Sequence, residues 1–385
     1  MNKITKKILV FVSALMLIVL AGCGAKSSSN GKTSGEQSNG KINAKFGVIA
    51  YMTGAGAAYG EAITNGFKLA QKEINKQGDV NIELVTEDSA GKQEQALSAA
   101  QKLMSDNDII ALLGPTLSTE FKVVAPESDL EGISIMGTST TAEGIPQIGD
   151  YVFRNSIPEA LAIPAAMEKV VSKTGAKKVA IIYGNDDVFT KSGYDTMKKE
   201  AEKMGLDIVT TETFQKGQSD YNAQLTKIKS KKPDFILASA LYNEGAVIMD
   251  QARKMGIDVP FVGGNGFNSP EVIKIAGNAA NGLVVATPWF GDSKEQKVVD
   301  FNNKYKKAYG KLPDQFAAQA YDALYIYADA LKRAGKADRE AFHKALAETK
   351  DFDGILGKFS FDKEGDVVME PKVVEIKDGK FVEFK

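Results

Sequence analysis

The sequence predicts an α/β protein of two similar lobes, each a parallel β-sheet covered by helices on both faces. Three observations lead there. From Lys45 onward, short β-branched runs alternate with amphipathic helical stretches, the pattern of a parallel sheet buried on both sides. The alternation then repeats at an offset of about 130 residues, too long for a solenoid unit and the right size for a whole lobe. Finally, a chain of 385 residues exceeds the roughly 250–300 at which single cores stop growing.

The first segment stands apart from this pattern. Residues 1–7 (MNKITKK) carry three lysines and no acid, and residues 8–20 (ILVFVSALMLIVL) are continuously apolar yet shorter than the roughly 20 needed to span a bilayer. That order is a secretory signal. The single cysteine of the chain, Cys23, follows in Leu20-Ala21-Gly22-Cys23, which is similar to the bacterial lipobox, where a diacylglycerol is attached to the cysteine and the signal is cut before it. Two acyl chains anchor stably where one is marginal. The stretch 24–40 (GAKSSSNGKTSGEQSNG) has no aromatic or large aliphatic residue and reads as a flexible tether. Residues 1–22 are therefore expected to be a signal peptide and 23–42 a lipid anchor with its linker, holding the protein on the outer face of the cytoplasmic membrane.

In the folded part, KFGVIAYM (45–52) is a buried-strand candidate. EAITNGFKLAQKEINKQG (61–78) places Ile63, Phe67, Leu69, Ala70 and Ile74 near one helical stripe and ends on Gly78, a C-capping residue. NIELVTED, IIALLG and ISIMG are the next strands, each preceded by a helical stretch. The second copy of the series is residues 178–214, 220–245 and 246–267, which repeat the order of 45–88, 93–119 and 121–141. Loops at the carboxyl ends of the strands would then face each other across a cleft between the lobes.

Composition excludes several function classes. A formal charge of -1 leaves no basic face to track phosphates, so nucleic acid is not an expected partner. One cysteine and one histidine, His343, cannot build a soft-metal site, and no metal or cofactor is expected. His343, in DREAFHKALAETK, reads as solvent-facing, and no serine in a G-x-S-x-G elbow could use it for hydrolysis. TGAGAAYG (53–60) lacks the dinucleotide spacing, because Tyr59 stands where the third glycine belongs; it reads as a glycine turn into a helix that presents Tyr59 to the cleft.

Two hydroxyl-rich strand ends are more informative. In LLGPTLSTEF (112–121), Ser118 and Thr119 stand at the expected start of a helix, where free N–H groups and the helix dipole favour an anion. IMGTSTTAEG (135–144) repeats the device with Thr138, Ser139, Thr140 and Thr141. Side by side, they could seat a carboxylate without any arginine.

From residue 43 to the end the chain resembles the periplasmic binding proteins of the leucine/isoleucine/valine type. The resemblance rests on AYMTGAGAAYG, GPTLST, RNSIP, NDDVFTKSGYDTMKKEAEKMG, VGGNGFNSPE, FAAQAYDALYIYADAL and FDGILGKFSFDKEGD. It implies the two-lobed "Venus flytrap" fold of Rossmann-like lobes with a three-stranded hinge, crossed near 154–158, 285–288 and 355–358. Lobe 1 would comprise 43–156 and 287–355, and lobe 2 157–286 and 356–385. It also implies a ligand carboxylate held by Ser118, by the backbone at Ser139 and by Thr141, with Tyr59 as the aromatic after the first glycine loop.

The second lobe departs from the family pattern. Where members that bind amino acids place an acid for the α-ammonium, this chain has Asn265; two usual tyrosines correspond to Phe189 and Leu241. An amide cannot neutralise an ammonium. Asp186, Asp187 and Glu244 are the acids nearby in sequence, and Tyr242, Trp289 and Phe290 are further cleft candidates. The resemblance implies a non-enzymatic receptor for a small apolar carboxylate, a branched-chain or other hydrophobic amino acid, delivered to an ABC permease and its ATPase. An ammonium-free acid or short amide as ligand, and a sensing role toward a membrane receptor, remain the alternatives.

Overall fold

The computed structural model describes residues 40–385; the signal segment, Cys23 and almost all of the tether lie outside the described residues. The described chain opens with β1 (Ile42–Ala50), α1 (Ala57–Gln77), β2 (Val80–Asp88), α2 (Gln93–Met104), β3 (Ile109–Leu113), α3 (Ser118–Leu130), β4 (Ser134–Gly137) and β5 (Val152–Arg154). These strands form one parallel sheet in the order β2-β1-β3-β4-β5.

The second run is α4 (Glu159–Thr174), β6 (Lys178–Gly184), α5 (Val188–Lys203), β7 (Asp207–Phe214), α6 (Asn222–Lys231), β8 (Phe235–Ser239), α7 (Tyr242–Lys254), β9 (Phe261–Gly263), α8 (Pro270–Ala276) and β10 (Leu283–Thr287). Its parallel strands take the order β7-β6-β8-β9-β10, the first lobe's order with every strand number raised by five. The repeat in the sequence is thus a repeat of topology. The remaining elements are α9 (Gln296–Tyr309), α10 (Gln315–Ala334), α11 (Arg339–Ala347), β11 (Phe352–Gly354), β12 (Gly357–Phe361), β13 (Val367–Val368), β14 (Lys372–Lys377) and β15 (Lys380–Glu383).

Burial on both faces explains why the strands read as unbroken apolar runs. In β1, Phe46 and Val48 pack with Phe67 of α1 and Tyr327 of α10, while Ile49 points the other way into Leu103 and Phe121. In β6, Val179 and Ile181 meet Met167 of α4 and Met197 of α5, and Ile182 meets the opposite layer with Leu225 and Ile248. The α1 helix carries the expected stripe and ends on Gly78 in the left-handed conformation, where a side chain would be strained. Among the described residues, no helix is long and apolar enough to cross a membrane.

The third crossing falls later than 355–358. Past α11 the chain stays with the first lobe through an antiparallel sheet, β11-β12-β13. Asp322 of α10, wholly enclosed, accepts the N–H groups of Ile355 and Leu356 at 3.0 and 2.9 Å, and burial raises its pKa to about 7. Phe361 packs on Phe153 with ring centroids 5.0 Å apart, and Asp366 takes both Arg154 Nε and Nη2, at 2.7 and 2.6 Å. Only at β14 does the chain join the second sheet, antiparallel to β10. A buried helix carboxylate that captures loop N–H groups leaves no periodic signal, which is why the crossing was misplaced.

Candidate functional site

The carboxyl ends of both sheets meet across a cleft with about 280 Å³ of empty space. The first lobe contributes Tyr59, Thr116, Leu117, Ser118, Ser139 and Phe316; the second contributes Phe189, Leu241, Asn265 and Gly266. Of the ten residues expected to contact a ligand, five line this space: Tyr59, Ser118, Ser139, Phe189 and Asn265.

The hydroxyl side is built by the first lobe alone. Ser118 is the first residue of α3 rather than its cap, because Glu120 reaches back with Oε2 to accept the N–H of Leu117 at 3.0 Å. The Ser118 hydroxyl is therefore not consumed by capping; Oγ accepts from Ala142 N at 3.3 Å. After β4 no helix begins directly, contrary to the expected second cap. A loop forms there, and its carbonyls are taken from beneath: Arg154 Nη1 donates to Ala142 O at 2.7 Å and Thr140 O at 3.4 Å, and Ser156 Oγ donates to Thr140 O at 2.8 Å. With those acceptors occupied, the loop is left rich in N–H and O–H donors, the chemistry of an anion seat. Ser139 Oγ donates to Thr116 O at 2.6 Å, tying the two strand ends together. Thr140 itself is buried under the loop and does not line the space.

The apolar side is aromatic. Tyr59 sits edge-on to Tyr242 and to Phe316, each at 4.7 Å between centroids. Its hydroxyl donates to Gly266 O at 2.5 Å and accepts from Tyr242 N at 2.9 Å, and burial pushes its pKa well up. Tyr242 forms a wall behind Tyr59 and donates its hydroxyl to Ala55 O at 2.5 Å, so both tyrosines bridge the lobes. Thr119 adds a second bridge: its hydroxyl donates to Asp187 Oδ2 at 2.6 Å and accepts from Val188 N at 3.0 Å. The cleft is closed.

Two expectations are corrected. Trp289 is not a cleft wall: with Phe290, Leu312 and Phe381 it lines a separate hinge-side cavity of about 1050 Å³. The residue in that role is Phe316, which sequence reasoning missed. Asp314 caps α10 by accepting Ala317 N at 3.0 Å, so the helix starts at the cleft; an aspartate two residues before a phenylalanine was the available signal. His343 is half-buried, stacked on Tyr151 at 3.9 Å with Nδ1 3.3 Å from Ser134 Oγ, and burial lowers its pKa.

The acids also fall differently. Glu244 lines an adjoining cavity of about 220 Å³ with Asp186, Asp187 and Lys216, behind Leu241, and its Oε1 accepts Gly217 N at 3.0 Å. Thr141 donates its hydroxyl to Glu159 Oε1 at 3.3 Å, and Asn265 N donates to the same oxygen at 2.8 Å. Burial raises the Glu159 pKa to about 7. Glu159 was missed because an acid following proline at a helix start looks like an ordinary first-turn residue.

Comparison with known proteins agrees with this geometry. Residues 43–380 match the family described as "Periplasmic binding protein". The leucine-, isoleucine-, valine-, threonine- and alanine-binding protein of Pseudomonas aeruginosa is 27% identical over 330 residues, covering 84% of this chain and 87% of its own. The structure of the branched-chain amino acid transporter substrate-binding protein LivJ of Streptococcus pneumoniae, in complex with isoleucine, superposes with a TM-score of 0.83 at 31% identity, covering 88% of this chain and 97% of that one. A solute-binding protein of an ABC transporter from Rhodopseudomonas palustris BisB5, in complex with 3,4-dihydroxybenzoic acid, superposes at 0.80 with 25% identity over 89% of this chain and 95% of its own. These relatives are solute-binding proteins, not enzymes. With a family match across nearly all of the described residues and two lobes closing on one cleft, the chain belongs to the periplasmic binding protein family, as an extracytoplasmic solute-binding protein.

Proposed function

We propose that the protein captures a small, largely apolar carboxylate, foremost a branched-chain or other hydrophobic amino acid, and delivers it to an ABC permease and its ATPase. The observation that carries this is the division of the cleft: the Ser118 hydroxyl and the backbone N–H groups of the loops that carry Ser118 and Ser139 on one side, and Tyr59, Phe189, Leu241 and Phe316 on the other. Such a space suits one anionic end and one apolar body. Calorimetric titration of the purified protein with hydrophobic amino acids and with their 2-oxo acids tests it; absence of heat with both sets sinks the reading.

A second reading, an ammonium-free acid as ligand, is favoured by the orientation of Asn265. Its Oδ1 accepts from Gln315 Nε2, and Gln315 Oε1 accepts the Thr287 hydroxyl at 2.8 Å, so the asparagine turns N–H donors, not an acceptor, away from that relay. Attachment of the protein to the membrane through a diacylglycerol on Cys23 is part of the proposal. Labelling of cells with an alkyne fatty acid should mark the wild-type protein and not Cys23→Ala.

A further inference from the structure

We propose that Glu159 is the specificity-determining acid of the cleft: its carboxylate, held between Thr141 and Asn265, is the counter-charge for a ligand's α-ammonium, which assigns the substrate class to α-amino acids. The inference rests on the carboxylate-binding reading above and chooses between its two ligand classes.

Glu159 lies where the loops of the two lobes meet. Its Oε1 accepts from Asn265 N of the second lobe at 2.8 Å and from the Thr141 hydroxyl of the first at 3.3 Å. Asn265 lines the cleft and Thr141 stands two residues beyond Ser139, which also lines it, so Glu159, bonded to both Asn265 and Thr141, lies directly behind the lining. The side chain is completely buried, and among the described residues no donor meets its Oε2. A buried carboxylate oxygen without a donor is costly, and a cation arriving with the ligand removes the cost.

The backbone is shaped around this group. A Cβ on Gly264 would stand 2.9 and 3.0 Å from the two carboxylate oxygens, so that the carboxylate would have to shift to admit a side chain there. Glycine at this position leaves the carboxylate in place beside the cleft loop.

The other groups that could answer an ammonium, or silence Glu159, are engaged or set apart, Glu244 by position alone, since its Oε2 is also without a donor among the described residues. Arg154 is committed to both oxygens of Asp366 and to the carbonyls of Thr140 and Ala142. The Asn265 carbonyl oxygen is taken by Gln315. Glu244 lies behind Leu241 in a cavity it shares with Lys216. The acid missing at position 265 is thus supplied from the start of α4.

The test is a selectivity ratio. Isoleucine, leucine, valine and phenylalanine, each paired with its 2-oxo acid, are titrated into the wild-type protein, Glu159→Gln and the double variant Glu159→Gln/Asn265→Asp. The wild type is expected to prefer the amino acid. Glu159→Gln should weaken amino-acid binding by roughly 30-fold or more, the worth of one buried charged hydrogen bond, while 2-oxo acid binding changes by less than about threefold. The double variant should regain part of the amino-acid affinity. Equal losses for both ligand sets, unchanged amino-acid binding in Glu159→Gln, or a wild-type preference for 2-oxo acids would each overturn the assignment while leaving the carboxylate reading intact. No binding of either set would defeat that reading, and this inference with it. If Glu159→Gln fails to fold, Glu159→Asp keeps the charge but draws it back by one methylene; it should weaken amino acids alone, and parallel losses would overturn the proposal.

Discussion

The two lobes share one strand order but build their halves of the cleft by opposite means. In the first lobe the site loops are braced from within: Ser139 to Thr116, Ser118 to Ala142, and Arg154 and Ser156 to the carbonyls of the 138–142 loop. In the second lobe the corresponding residues are steadied largely from across the cleft, Tyr242 by Tyr59 and Ala55, Asn265 by Gln315, and Asp187 by Thr119. The difference teaches an order of events. Under the proposed function, a ligand carboxylate would meet a pre-built seat in the first lobe and the second lobe would complete its contacts on closing, coupling the free energy of closure to the ligand.

The sharpest way to break that comparison is to remove the brace. Arg154 is 2% exposed and bidentate to Asp366. Arg154→Met should leave the half-buried Asp366 carboxylate unpaired and the Ala142 carbonyl without its donor, while Thr140 O keeps the Ser156 hydroxyl, costing about 3–4 kcal/mol of stability by urea unfolding. A loss under about 1 kcal/mol would show that the first-lobe seat does not depend on it.

A second prediction concerns the acid that joins the two halves. The Glu159 pKa rises from 4.5 to about 7 on burial, so between those values the native state holds a proton that the unfolded chain has released. Stability without ligand must therefore fall as pH rises through that window, by about 3 kcal/mol at roughly 1.4 kcal/mol per pH unit. Asp322 and Asp314, raised to about 7 and about 6 by burial, add slopes of the same sign that persist in a Glu159 variant. Subtraction isolates the Glu159 share: ligand-free Glu159→Gln should match the wild type at pH 4 and be more stable at pH 8. Equal melting curves at both pH values would mean that the carboxylate is not buried as described.

Next in size is the seat itself. Ser118→Ala should cost about 1.5–3 kcal/mol in binding, the range for hydrogen bonds to a charged group, whereas Ser139→Ala, whose hydroxyl is spent on Thr116 O and whose backbone N–H is kept, should cost about 1 kcal/mol or less. The loss should be equal for amino acids and for their 2-oxo acids, because both carry the carboxylate. A loss confined to amino acids would move the ammonium, not the carboxylate, to this loop.

How much of this was legible from sequence follows the same division. The lobes, their repeat and the hydroxyl loops were readable because strands buried on both faces leave unbroken apolar runs, and because Ser118 and Ser139 sit beside strand ends. Second-lobe partners were not, since Tyr242 N on Tyr59 and Asn265 on Gln315 join residues 183 and 50 positions apart. The same holds for Glu159 and Phe316, whose roles come from where a helix starts in space. Trp289 shows the converse: an aromatic next to a hinge crossing has the right neighbours in sequence and lines a different cavity.

The smallest effect tests the closing step alone. Thr119 is half-buried on the first lobe and hydrogen-bonds to the second through its hydroxyl, donating to Asp187 and accepting from Val188 N. Asp187 has a separate duty inside its own lobe, accepting Thr190 N at 3.0 Å as the cap of α5, and that bond survives Thr119→Ala. The variant should therefore leave the melting temperature of the ligand-free protein nearly unchanged while weakening binding by about 1 kcal/mol, close to fivefold. Because the seat that first meets the ligand is intact, stopped-flow kinetics should show the loss in the dissociation rate, with association unaltered. A slower association instead would mean that ligand is first met by both lobes together, and the contrast between a pre-built half and a completing half would fail.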